Sequence, residues 1–215
     1  MSATHYGVAA GFLFATIVFA FLAARFAATG APLFRRFAAG LTGYALAFLA
    51  FSAVVALHPT DLDLATGLAL LPLALGSLLL FGVGVAHWPV RPRRLVTVGA
   101  AGALLGIGFV RLFLFPSTPS FSAAGLIYLN SAPLITLFYV LILAAAVLPA
   151  VNVVAGRLTL RESAALTRLG FTLLVLSGVV LLVSSDDTLQ LLNSGLMGAA
   201  LLLLLAAARR PLRLS

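Results

Sequence analysis

Apolar residues in this chain come in blocks and do not alternate with polar ones. Seven runs stand out, 7–24, 37–57, 64–86, 95–115, 122–148, 164–184 and 188–208. Each is close to the ~20 apolar residues that a helix needs to cross a bilayer core. Helix-ending residues fall between the blocks: Arg25, His58-Pro59, His87-Trp88-Pro89, Pro116, Pro149 and Arg209-Arg210-Pro211. The pattern predicts an all-α polytopic membrane protein. It would be a bundle of seven transmembrane helices forming one domain over 1–215.

Capping signals refine the boundaries. Thr60 and Asp63 have capping-box spacing, and Thr159 with Glu162 matches the box fully. The second pair places the start of the sixth helix near residue 160, with its first turns at an interface. Ser185, Asp186 and Asp187 suit the start of the seventh helix, where acidic groups meet the positive end of the dipole. Trp88 belongs at a membrane interface, as an aromatic anchor.

Charge is sorted along this pattern. One set of inter-block gaps holds Arg25, Arg35 and Arg36, then Arg91, Arg93 and Arg94, then Arg157, Arg161 and Arg168, then Arg209, Arg210 and Arg213. The alternate gaps hold only acidic charges: Asp61, Asp63, Asp186 and Asp187. Short arginine-rich loops stay on the cytoplasmic side. The expected topology has the N-terminus outside and the C-terminus cytoplasmic. No basic residue precedes the first block, which reads as a retained span and not as a signal peptide.

Composition changes the picture mainly by exclusion. Only 8% of residues are charged, against about 25% in soluble domains. The formal charge of +8 would point to nucleic acid in a soluble protein. Here the arginines flank spans, so the expected partner is anionic lipid at the cytoplasmic face, and no nucleic acid. There is no cysteine, which removes disulfides, thiol catalysis and thiolate metal sites. There is also no lysine. A retinal Schiff base needs one, so a covalent retinal pigment is excluded. Arginine with abundant Ala, Leu and Gly fits a GC-rich prokaryotic genome and a multi-pass protein of the inner membrane.

Candidate chemistry gathers in the outer half of the blocks. Arg111 is the one arginine away from the basic gaps. It lies four residues inside the fourth block, about 6 Å at 1.5 Å per residue. Arginine at that depth either snorkels or pairs. Alternatively, it holds an anionic ligand. Tyr128, Asn130 and Ser131 from the fifth block share that depth, as do Gln190, Asn193 and Ser194 from the seventh. The latter three sit at helical spacing on one face. Arg111, Tyr128, Asn130, Gln190 and Asn193 form the candidate ligand rim. The competing reading is interhelical hydrogen bonding. Leu129-Asn130-Ser131 and Leu192-Asn193-Ser194 also form a faint internal echo. Glycines at 40, 43, 99, 102 and 106 read as close-packing positions.

No metal or haem site is expected from His5, His58 and His87, which lie outside the spans and on both sides. No acid and base flank Arg111, so neither an enzyme nor a cofactor is expected. In span count and topology alone, the chain resembles the seven-helix input domains of bacterial signalling proteins. That resemblance implies a sensor acting through a separate partner. The expected function is a non-enzymatic accessory or assembly subunit, or a partner-dependent sensor, with a membrane-protein partner. The alternative is a small-solute permease with an outward-facing site around Arg111.

Overall fold

The computed structural model describes residues 3–86, 88–113, 120–121, 127–128, 140, 147, 164–183 and 187–208. In chain order its elements are α1 (Ala3–Ala27), α2 (Pro32–Leu57), α3 (Leu62–Gly84), α4 (Val90–Phe113), β1 (Ser120–Phe121), β2 (Ile127–Tyr128), α5 (Ala164–Val183) and α6 (Asp187–Ala208). Five of these helices, α1 to α4 and α6, are long and apolar enough to cross a membrane. In α5 the apolar stretch Ala165–Val180 is shorter. The chain is a helical, multi-pass membrane protein.

α1 to α4 begin earlier than their apolar blocks because backbone hydrogen bonding does not stop at a hydrocarbon boundary. α2 starts at Pro32, whose fixed φ and missing N–H suit a first turn. α4 starts at Val90, so Arg91, Arg93 and Arg94 lie in its first turns and not in a loop. Thr60 is not the cap of α3. Asp61 is, with its carboxylate accepting from the Leu64 N–H at 2.9 Å. A carboxylate meets the positive end of the helix better than a hydroxyl does. The Thr159–Glu162 box and the early start of the sixth helix lie outside the described residues.

The expected fifth helix over 122–148 needs correction at its start. Residues 127–128 form a strand that pairs antiparallel with 120–121, Ser120 opposite Tyr128 and Phe121 opposite Ile127. Five residues separate the strands, one of them Gly125, which is hairpin spacing. Ile and Tyr also favour extended backbone. Val140 and Val147 are helical, and the other residues of 129–148 are outside the description. The hairpin rests on the end of α2: the Phe121 ring lies 4.3 Å, centroid to centroid, from His58. His58 itself ends α2 in the left-handed conformation, φ 47°, with its N–H bonded to the Val54 carbonyl.

Packing follows the rules of lipid, where burial of apolar surface gives little drive and close fit matters more. α1, α2 and α3 pack in sequence, α5 pairs with α6, α6 returns to α1, and α4 leans lightly on α3. The seam between α1 and α2 is a ladder of rings. Phe12 stacks on Phe48, Phe19 lies parallel to Phe48 at 5.5 Å, and Phe26 meets Phe37 edge-on at 4.8 Å. Such pairs contribute about 0.5–1.5 kcal/mol each beyond area. Phe37 then reaches Phe171 of α5 at 6.0 Å. The core joins Val18 and Leu22 of α1, Leu41 of α2, Leu80 of α3 and Leu201 and Leu204 of α6. Large apolar side chains also face outward, among them Leu57, Leu95, Leu105, Leu191 and Leu202, as a lipid-solvated surface requires.

Between α2 and α3 the backbones touch. A Cβ at Gly43 would lie 2.7 Å from Gly76 Cα and 2.7 Å from the Pro72 carbonyl oxygen. One at Gly40 would lie 2.7 Å from the Leu80 side chain. The close-packing expectation therefore holds at 40 and 43. On α4, nothing among the described residues comes within 4 Å of a Cβ at Gly99, Gly102 or Gly106.

This arrangement gives the bundle two chemically distinct ends. The C-terminal turn of α1, the N-terminal turn of α2 and the C-terminal turn of α6 meet through Phe26, Phe37 and Ala208. Phe171 brings the first turns of α5 to the same end, and Leu80 and Val83 bring the last turns of α3. Arg25, Arg35, Arg36 and Arg168 all belong to that end. The short turn from α3 into α4 adds Arg91, Arg93 and Arg94. Asp61 and Asp63 open α3 at the opposite end.

Candidate functional site

Charged side chains at the arginine end brace the turns. The Arg93 Nη1 donates to the Ala86 carbonyl at 2.9 Å, closing the α3–α4 turn. The Arg35 Nε donates to the Gly30 carbonyl at 3.0 Å across the α1–α2 turn. Gly30 takes φ +75°, a conformation that glycine adopts without strain. These two arginines brace the turns between helices. Trp88 lies in the α3–α4 turn, partly exposed.

The predicted ligand rim divides. Arg111 lies in α4, two residues before Phe113, the last described residue of that helix. Tyr128 is in β2 and not on a helix. Asn130 and Ser131 are outside the described residues. Gln190 is nearly buried, at 9% exposure, in the second turn of α6. Asn193 is half-buried and accepts a hydrogen bond from the Ser177 hydroxyl of α5 through Oδ1. The Ser194 hydroxyl turns back to the Gln190 carbonyl at 2.9 Å. Asn193 therefore lies on the α5–α6 seam, engaged in helix pairing.

Other polar contacts behave in the same way, and sequence reading did not single them out. The Tyr44 hydroxyl and Ser77 Oγ are 2.8 Å apart across the α2–α3 contact. Ser77 is fully buried. The Ser52 hydroxyl donates to the Ala9 carbonyl of α1 at 2.8 Å. Thr16, Thr42, Thr66, Thr97 and Thr172 return their hydroxyls to carbonyls four residues back. This is how a hydroxyl is satisfied on an apolar helix. One signal for the α2–α3 pair was available. Tyr44 is four residues from Gly40, and Ser77 follows Gly76, so both border the small-residue contact.

One small cavity lies at the arginine end among Leu22, Arg25, Phe26, Thr167, Phe171 and Leu204, with a volume of about 10 Å³. That is room for about one water, beside the buried Thr167 hydroxyl. Among the described residues, no three His, Cys, Asp or Glu side chains come together as metal ligands. Comparison with family models, with curated proteins and with solved structures finds no match. The class of protein is that defined by the helices themselves, a polytopic helical membrane protein.

Proposed function

We propose that the chain is a non-enzymatic membrane module, acting as an accessory or assembly subunit or as a sensor that works through a partner. One observation supports this reading. The interhelical polar pairs, Tyr44 with Ser77, Ser52 with Ala9 and Ser177 with Asn193, hold helices together. A transporter instead gathers polar groups around a substrate near the bilayer midplane, at broken helices. Asn193 lies six residues into α6, about 9 Å along the axis, well short of the midplane of a ~30 Å core.

In the same reading, the arginine end faces the cytoplasm of a prokaryotic inner membrane, following the positive-inside rule. The seven-span count of this reading rests on the apolar run 122–148, most of which lies outside the described residues. The chain has no native cysteine, so single cysteines report orientation directly. Thr60→Cys, at the aspartate end, should react with an impermeant maleimide on intact cells. Ala28→Cys, at the arginine end, should react only after lysis. The reverse labelling would overturn the orientation.

The function itself is tested by purification from the native membrane in mild detergent, with companions identified by mass spectrometry. A companion at fixed stoichiometry supports the subunit reading. A solitary protein whose solute uptake is lost on Asn130→Ala, with normal expression, would replace it with the permease.

A further inference from the structure

The α1–α2 pair carries a groove on its outer side that is not part of the rim or of the helix-pairing contacts. Its volume is about 700 Å³ and it is open along one side. Alanines form it: Ala23, Ala38 and Ala45 are buried at its floor, while Ala20, Ala24 and Ala39 are exposed on its walls. Thr16 and Thr42 also line it, but their hydroxyls are bonded to the Phe12 and Ala38 carbonyls. The trough is therefore apolar along its length, and narrow side chains on both helices keep it open.

One end is not apolar. Arg35 lines the groove at the arginine end of the bundle. Its Nε bond to the Gly30 carbonyl anchors the exposed guanidinium at the groove mouth. That bond uses one of five donors. Arg36 follows in the same turn, and the first turn of α2 has no acidic residue to neutralise them. Ala31, at the N-cap, offers no side-chain cap, so the positive end of the helix adds to the same field.

Length decides the occupant. The groove runs from Thr16 to Ala27 on α1 and from Arg35 to Leu49 on α2, about 17 and 21 Å at 1.5 Å per residue. One leaflet of hydrocarbon is about 15 Å thick, half of a ~30 Å core. A partner's spanning helix would call for a trough of twice that length. A trough one leaflet deep, apolar throughout and cationic at the interface, has the shape and charge of a phospholipid. We propose that the α1–α2 groove is a phospholipid site, with one acyl chain along the alanines and an anionic headgroup at Arg35. This inference does not depend on the accessory-subunit reading. It specifies one lipid position where charge sorting implies only a general attraction.

The test uses the full-length protein in detergent and native mass spectrometry. It is titrated with phosphatidylglycerol and with phosphatidylcholine of identical chains. The wild type should retain one phosphatidylglycerol in preference to phosphatidylcholine. Arg35→Gln should weaken phosphatidylglycerol about fivefold, the effect of one interfacial cation, and leave phosphatidylcholine unchanged. Ala39→Phe, which blocks the trough from an exposed position, should abolish retention of both lipids. Unchanged phosphatidylglycerol binding in either variant would overturn the site. So would loss of a co-purifying protein in Ala39→Phe with lipid retention intact, since a helix would then be the occupant. Equal melting temperatures of the variants and wild type exclude misfolding as the cause.

Discussion

Gly43→Ala is the sharpest test of the packing described above. A methyl at this position would sit 2.7 Å from Gly76 Cα, 2.7 Å from the Pro72 carbonyl oxygen and 3.0 Å from Gly76 N. Carbon atoms in contact prefer about 3.5–4.0 Å. All three obstructing atoms are backbone, so no rotamer change relieves the overlap, and α2 must move away from α3 by about 1 Å. Overpacking of this kind costs about 1–3 kcal/mol. The shift would also stretch the Tyr44–Ser77 hydrogen bond, 2.8 Å in the native bundle, with a further loss of about 0.6 kcal/mol. Against this, Ala is better than Gly in a helix by up to about 1 kcal/mol. The expected net destabilisation is about 0.5–2.5 kcal/mol. Unfolding in mixed detergent micelles, followed by the fluorescence of the single tryptophan, Trp88, would measure it. Gly102→Ala on α4 is the matched control, since nothing described lies within 4 Å of it. It should be neutral or stabilised by up to about 1 kcal/mol. Equal stability of the two variants, or a more stable Gly43→Ala, would refute the backbone-contact argument.

Other expectations follow from the same geometry. Asp61→Ala removes the α3 cap and should cost about 1 kcal/mol in the same unfolding assay, and Asp61→Asn should recover most of it. A double-mutant cycle of Ser177→Ala and Asn193→Ala should give a coupling near 0.6 kcal/mol and below about 1.7 kcal/mol; no coupling would remove their bond as a helix-pairing contact. Gly30→Ala places an L-residue at φ +75° and should destabilise the α1–α2 turn by about 1 kcal/mol, read as earlier thermal unfolding.

The spans were legible because hydropathy blocks and lipid thickness express the same constraint. The ends were read less well, since helical hydrogen bonding continues into the interface. This is why α2 opens at Pro32 and α4 takes in Arg91, Arg93 and Arg94. At Ile127 and Tyr128 an apolar run concealed an extended pair, because blocks of apolar residues carry no periodicity that separates strand from helix. The same lack of periodicity hid the interior. Helices that are apolar all round do not reveal which face meets a neighbour, so Ser177 and Ser77 carried no mark of their roles. Gly40 and Gly43 did carry a mark, two missing side chains close together, although similar spacing at Gly102 and Gly106 meets nothing among the described residues. Asn193 stood out in the sequence as a polar position in an apolar run, and its Oδ1 accepts from the Ser177 hydroxyl of α5.

The return of α6 to α1 bears on how the molecule is made. α1, α2 and α3 pack one after another and can assemble as each leaves the ribosome. Leu22 and Phe26, however, complete their surroundings with Leu204 and Ala208, supplied by the final helix. Until α6 is made, that face of α1 has only part of its packing, with Phe171 of α5 among its neighbours. Closure of the bundle is therefore a late event that reports the arrival of α6. A chain stalled before residue 200 would lack Leu201, Leu204 and Ala208, and the C-terminal half of α1 would stay incompletely packed.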